Sequence, residues 1–371
     1  MRPVALLLVT VCAASAQYTR EGAYWVRTLS GSEPVSGRAR VRVMAPGDVE
    51  ATPSSDDRVS YTVRLRAKAR EALADGRISI QREHDQVTVF VRCDADAAEM
   101  QVKIPRTARE TTIVTREGNV QVYELGGAVT AASAGGAMKA DRIRGSLEMR
   151  TGGGTVWLGS VEGPVKASTA GGAITAGRIG GDAILETGGG VIVAQEVGGY
   201  VRAKSLGGTV KIGRAGAGVV ASTGGGPIEV GEAGGVVEAH NSGGPVSVGR
   251  AAGVHCESAV GPIRLSNVSG PLRASTALGS ILAEVVAGHA LADSFLSTGS
   301  GDITIVLPSN LGVRIYALSE TAGRNQRIVS DFPGLVIRQQ GRQVIAEGAI
   351  NGGGPLIRLA GTGGTIFIKR Q

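Results

Sequence analysis

The feature that most limits what this chain can become is a nine-residue repeat that opens at Gly118 and runs to about residue 300. Its units read GNVQVYELG, GAVTAASAG, GAMKADRIR, GSLEMRTGG, GTVWLGSVE and GPVKASTAG, and onward through GTVKIGRAG and GPIEVGEAG to GPLRASTAL. A short fixed period of this kind marks an array in which each unit packs only on its neighbours. The third and fifth positions are apolar with a polar residue between them, the period-two pattern of a strand with one buried face. Glycine at the first and ninth positions supplies the conformational freedom expected of a sharp corner. Pro164, Pro227, Pro245, Pro262 and Pro271 each follow a corner glycine, where a first strand residue can forgo its N–H. One unit (244–251) is a residue short, and the last, GHALADSFLSTGS, is longer.

The units also alternate in kind, so the true period is eighteen. The seventh position of every second unit is Ser133, Thr151, Thr169, Thr187, Ser205, Thr223, Asn241, Ser258, Thr276 and Ser294, all small hydrogen-bonding residues. The intervening units carry Arg178, Glu196, Arg214, Glu232 and Arg250 at the same position, alternating in sign. An antiparallel meander of nine-residue strands would place unlike units side by side and split both columns. Two strands per coil place like on like, about 4.8 Å apart. The expected fold is therefore an all-β, right-handed parallel β-solenoid with two short strands per 18-residue coil. Its hydroxyl ladder runs along one corner and its charge ladder along the other. Ten such coils would span roughly 45–50 Å.

The flanks are poor in glycine and carry longer alternating runs, such as 39–43, 59–65 and 87–91 before the repeat and 303–307 and 313–317 after it. Only 67–74 hints at a helical turn. The expected organisation is a signal peptide (1–16), an N-terminal β region or cap (17–117), the solenoid (118–300) and a C-terminal β region or cap (301–371). The leader reading rests on Arg2, an apolar stretch over 4–11, and Ala14-Ser15-Ala16 before the cleavage point. A lipoprotein reading meets Val11 before Cys12, where a small residue is needed. No later stretch is long and apolar enough to form a membrane helix. The chain is thus expected to be secreted, periplasmic or envelope-associated, with no transmembrane segment after cleavage. Cys93 and Cys256, left after cleavage, do not make a disulfide framework.

The net charge of +7 suggests nucleic acid only until it is located. Residues 118–300 hold thirteen basic and thirteen acidic residues, and aromatics are 3% of the chain. A nucleic-acid track needs a concentrated basic stripe with stacking rings, so none is expected.

Short strands delimited by Gly-Gly, the run Ser297-Thr298-Gly299-Ser300-Gly301-Asp302-Ile303 leading into Leu307-Pro308, and Ile350-Asn351-Gly352-Gly353-Gly354 resemble the bacterial putative-adhesin family of unknown function. The resemblance covers nearly the whole chain beyond the leader. It implies a secreted or envelope-associated β-solenoid and supplies no catalytic motif.

Candidate chemistry is sparse. The repeat lacks the corner aspartate column of calcium-binding β-rolls, with Asp141 and Asp182 isolated. A single Ser/Thr column beside glycine corners suits capping of corner amides better than ice binding. His255 falls at an outward position beside Glu238 and Arg273, where a surface ladder explains it better than a metal or acid–base site. His84, His240 and His289 join no pattern. Cys256 falls inward as a small core residue. No G-x-S-x-G elbow or Walker-type loop occurs, and the triple glycines at 152–154, 188–190 and 224–226 precede no helix. Trp157, Ile184, Val193 and Val220 point outward as a mild apolar set. No catalytic, metal or cofactor site is expected, and no cofactor. The expected role is an exported, non-catalytic structural or interaction protein, an adhesin or cell-envelope scaffold whose partner is an envelope polymer, glycan or protein. The alternative is a carbohydrate-active β-helix enzyme acting on an extracellular polysaccharide.

Overall fold

The structure, a computed structural model, describes residues 7–9, 18–35, 38–286, 291–320 and 328–371. The expected leader, apart from Leu7–Val9, and His289 lie outside the described residues. The fold is all-β, with one 3-10 turn at Glu71–Leu73 within the stretch that hinted at helix. The chain divides into two compact units, Met1–Asp182 and Ala183–Gln371, so the division falls inside the repeat.

In the first unit, successive repeat strands go alternately to two parallel sheets. Ala128–Ser133, Leu147–Thr151 and Val165–Thr169 stack in one, with Val129 beside Leu147 and Leu147 beside Val165. Val120–Tyr123, Met138–Asp141, Val156–Val161 and Ile174–Ile179 stack in the other, with Met138, Val156 and Ile174 in line. Two strands make each 18-residue coil, and the apolar side chains between the sheets are buried. A fully buried Val or Leu contributes roughly 1.5–3 kcal/mol, so the stack rather than any single coil holds the fold.

The second unit follows the same rule. Val201, Val219, Val237, Val254 and Leu272 line one sheet, and Ile192, Val210, Ile228, Val246, Ile263 and Ile281 the other. The short repeat unit is absorbed without loss of register, because Val237 still stands beside Val254 and Val246 beside Ile263.

The two sheets bury different positions. Strands of the hydroxyl-bearing sheet bury the third, fifth and seventh residues, as in Val165–Thr169. Strands of the charge-bearing sheet bury the third, fifth and eighth, as in Val156, Leu158 and Val161 or Ile192, Ala194 and Val197. The strand kinks at the sixth position, where glycine is frequent. A methyl at Gly213, Gly231 or Gly249 would run into the carbonyl oxygen of Gln195, Gly213 or Gly231 one coil below.

At both ends the strands stack out of sequence order. In the first unit, Glu110–Thr115 and Val120–Tyr123 pair in parallel with Arg40–Ala45 and Asp48–Ser54. These in turn pair with Gln86–Arg92 and Ala97–Pro105. Antiparallel strands then finish the sheets: Arg77–Glu83 on one, Arg58–Ala67 and Tyr24–Pro34 on the other. Leu7–Val9 lies antiparallel against Arg77–Glu83. In the second unit the chain's last strands, Leu356–Gly363 and Ile366–Arg370, lie between earlier ones. They pair with Ser294–Ser300 and Ile303–Leu307 on one side and with Val313–Ser319 and Ile328–Ser330 on the other. The hairpin of Val336–Gln340 and Gln343–Ile350 completes that end. Such antiparallel additions cover parallel edges that would otherwise offer unpaired backbone.

Candidate functional site

The hydroxyl column lies at a glycine corner, and its members bond backbone of their own corner, of the corner one coil below, or of both. In the first unit, Ser133 donates to Gly118 O at 2.9 Å and accepts from Gly136 N at 3.0 Å. Thr151 does the same between Gly136 O (2.8 Å) and Gly154 N (3.2 Å), and Thr169 between Gly154 O and Gly172 N. Thr115, in the flank, starts the series on Gly47 O and Gly118 N. In the second unit, Thr187 accepts from Gly190 N, and Ser205 joins Gly190 O to Gly208 N. Thr223 and Thr276 donate to Gly208 O and Gly261 O, and Ser258 accepts from Gly261 N. Asn241 replaces the hydroxyl with a carboxamide that donates to Gly226 O and accepts from Gly244 N.

Two readings of this corner need correction. Ser294 does not belong to the column. The four extra residues of the long unit precede its strand, so Thr298 stands beside Thr276 and donates to Gly279 O at 2.7 Å. Ser294 instead accepts from Leu272 N and donates to Ala292 O. The second concerns the glycines. Gly136, Gly154 and Gly208 do not take left-handed backbone; a methyl on any of them would strike the carbonyl of the glycine one coil below. Close stacking, rather than an unusual turn, is what requires glycine there.

In the charged column the arginines are exposed and the glutamates half-exposed. Glu196, Arg214, Glu232 and Arg250 stand side by side, with Glu232 3.1 Å from Arg214 and 3.5 Å from Arg250. In the first unit Arg178 stands beside Ser160. Farther along, Glu124 pairs with Arg142 at 2.8 Å and Arg106 at 3.4 Å. The Arg142 hydrogen bond and charge hold the Glu124 carboxyl below the usual carboxylate range. Glu124 and Arg142 adopt left-handed backbone, an uncommon conformation for residues that carry a side chain.

His255 stands in register between Glu238 and Arg273, half exposed. Glu257 lies between two imidazoles, 3.3 Å from His240 Nδ1 and 3.2 Å from His255 Nε2. Beside them an open groove of about 720 Å³ follows the hydroxyl corner from Lys204 to Ser275. Its Ser and Thr side chains include Ser205, Thr223 and Thr276, already bonded to corner backbone. Among the described residues, no group of three or more His, Cys, Asp or Glu is placed to hold a metal ion. Cys93 and Cys256 are free, and burial pushes the Cys256 thiol up to about 12. No helix among the described residues is long and apolar enough to cross a membrane.

A further polar surface lies in the first unit, on the outer face of its charge-bearing sheet. Because strands there stack out of order, one outward row reads Thr175, Trp157, Lys139, Gln121, Glu50, Gln101, Thr62. Trp157 is 41% exposed, and the far end of its indole and the Asp141 carboxylate, which accepts from Ser160 N, both lie over Gly159. Lys139 Nζ sits 4.8 Å from the indole centroid and 5.7 Å from the Tyr123 ring. The Tyr123 hydroxyl donates to Gln121 Oε1 at 2.8 Å, and Gln101 Nε2 reaches Glu50 at 3.4 Å. Around Gln121, Glu50, Gln101 and Thr62 the face holds a cavity of about 350 Å³. The adjoining row supplies Asp48, Glu99 and Arg64 to it. Asp48 accepts from Asn119 N at 2.7 Å, and Arg64 pairs with Glu99. Sequence periodicity marks Trp157 as outward. It gives no signal for Glu50 or Gln101, whose flanking strands lie outside the repeat.

No family model and no curated protein matches this chain. Several solved structures are similar to it. One, described as a putative adhesin from Bacteroides fragilis, is 13% identical, covers 93% of this chain and 97% of its own, and has a TM-score of 0.30. A putative adhesin from Parabacteroides distasonis is 12% identical over 92% of this chain and 97% of its own, with a TM-score of 0.28. A protein from the same species described as a putative lipid binding protein is 12% identical, covers 76% of this chain and 97% of its own, and has a TM-score of 0.28.

Proposed function

We propose that this chain is an exported, non-catalytic interaction protein, an adhesin or envelope-associated scaffold that presents repetitive faces to a partner. The outward row through Trp157, Gln121 and Glu50 carries the reading. It sets an exposed aromatic ring beside an amide and a carboxylate that each keep one polar group uncommitted, at fixed spacing on stacked strands, an arrangement suited to recognition. The hydroxyl column is already engaged in holding coils together and the charged column pairs largely within itself, which supports this row as the place where a partner has chemistry to meet. Export rests on the leader at 1–16 and on the family resemblance in the sequence.

Fractionation of the expressing bacterium, followed by binding of the purified chain lacking residues 1–16 to isolated envelopes, tests the proposal. The expected result is export and saturable envelope binding. Retention in the cytoplasm, or no envelope binding, would refute it. Three carboxylates around one cavity (Asp48, Glu50 and Glu99) make the enzyme alternative worth the same assay: release of reducing ends from envelope polysaccharide would establish it.

A further inference from the structure

We infer that the row from Trp157 to Gln101 binds an uncharged glycan chain, one sugar ring resting on the Trp157 indole and rings farther along the glycan over Gln121 and Glu50. The inference rests on the interaction reading and adds the ligand class.

The residue types carry it first. A sugar ring offers an apolar C–H face and pairs of adjacent hydroxyls. The exposed indole suits the face, and carboxamides and carboxylates suit the hydroxyl pairs, since each presents two polar atoms in one plane. Gln121 spends its carbonyl oxygen on the Tyr123 hydroxyl, and its NH₂ has no partner among the described residues. Glu50 accepts only from Gln101 there, which leaves a second carboxylate oxygen for a ligand hydroxyl. Donor and acceptor thus stand on adjacent strands.

Spacing is the second argument. From Glu50 to Trp157 the row advances three strands, about 14 Å at about 4.8 Å per strand. That matches roughly three rings of an extended glycan, so successive rings meet successive side chains. Gly159 leaves room for the edge of the indole and for the Asp141 carboxylate, and Lys139 braces the Tyr123 and Trp157 rings. The platform is therefore ordered before a ligand arrives, which lowers the cost of binding.

Charge decides which glycan. The cavity is ringed by Asp48, Glu50 and Glu99 against Arg64 and stays net negative, although Lys139 stands in the row between Gln121 and Trp157. Uronate, sulfate or phosphate groups would meet net repulsion, whereas neutral hexoses, pentoses and N-acetylhexosamines would not. The same field disfavours nucleic acid.

The chain has two tryptophans, so a Trp25→Phe form lacking residues 1–16 makes Trp157 the sole indole reporter. It would be titrated with cellotetraose, xylotetraose, mannotetraose and chitotetraose, and with trigalacturonate as the acidic probe. At least one neutral tetrasaccharide should change the emission saturably, and trigalacturonate should bind at least tenfold more weakly or not at all. By calorimetry in the Trp25→Phe background, Trp157→Ala and the pair Glu50→Ala/Gln121→Ala should each weaken Kd by about tenfold or more, the scale of a central anchor. Lys204→Ala, in the other unit, should leave Kd unchanged. Equal melting curves would separate lost contacts from lost fold. No response to any neutral sugar, tighter binding of trigalacturonate, or an unchanged Kd in Trp157→Ala would overturn the inference. If sugars fail while envelopes still bind, the ligand class is wrong and the interaction reading stands. If envelopes fail as well, both fall.

Discussion

Thr151→Val is the sharpest test of how the coils are held together. Thr151 is buried, and its hydroxyl donates to Gly136 O at 2.8 Å and accepts from Gly154 N at 3.2 Å. Valine keeps the shape and removes both bonds, which leaves one carbonyl and one amide at a tight corner. Each buried group left unsatisfied costs about 1–3 kcal/mol, so a loss of about 2–4 kcal/mol is expected once some water access is allowed. Thr151→Ser keeps both bonds and loses one methyl, about 0.8 kcal/mol. Asn241 already shows that a carboxamide can make the same pair of contacts, so Thr151→Asn should fall between them. Stacked repeats need not unfold in one step. Denaturant melts followed by circular dichroism should therefore be joined with hydrogen exchange on peptides spanning 147–158. Faster exchange at Gly154 in the valine variant, with the serine variant near wild type, is the expected pattern. If valine costs no more than serine, the hydroxyl column does not staple the coils.

The remaining predictions probe other parts of the stack. Val156→Asp or Val210→Asp buries a carboxylate between apolar neighbours in register (Met138 and Ile174, or Ile192 and Ile228) and should cost several kcal/mol and open several coils to limited proteolysis. An unchanged melting curve in either would refute the register. Glu232→Gln removes both ion pairs to Arg214 and Arg250, yet all three side chains are well exposed, so stability should change by less than about 1 kcal/mol in a thermal melt; a loss above about 2 kcal/mol would show that the charge column is structural. Cys93, half-buried, should react with a thiol reagent at pH 8 while Cys256 reacts only on unfolding. Because the folded Cys256 thiol is pushed up to about 12 from an ordinary 9.0, its protonated form favours the fold. That contribution should be intact below pH 9 and fade as pH rises from there towards 12, more strongly than in Cys256→Ala.

What could be read from the sequence was whatever repeats. The buried third and fifth positions and the polar seventh recur every eighteen residues, so a period reveals them without any knowledge of distant contacts. The buried eighth position of the charge-bearing sheet also repeats, through Val161, Ile179, Val197 and Ala215. It is hidden because the kink at the sixth residue breaks strict alternation. Ser294 was misplaced for a related reason, since counting forward from Gly288 cannot tell whether extra residues fall before a strand or after it. The stacking order at the ends lies beyond any local pattern. Nothing in residues 40–54 says that they will lie between 110–123 and 86–105, because that choice depends on which edges remain open after the repeat has formed.

That last point bears on where recognition can arise in such a fold. Inside the repeat, each outward row is built from the same position of every second unit, and neighbours can pair with one another, as Lys211 does with Glu229. At the N-terminal end, strands from different parts of the chain enter one row, so Gln121, Glu50 and Gln101 need not resemble each other and their polar atoms are not all consumed. A row of unlike residues can offer a donor, an acceptor and an aromatic face within a few steps; here the repeat supplies Trp157 and Gln121, and the inserted flanking strands add Glu50 and Gln101. The out-of-order coil is thus both what closes this end of the stack and what gives its outer face the variety a selective partner needs.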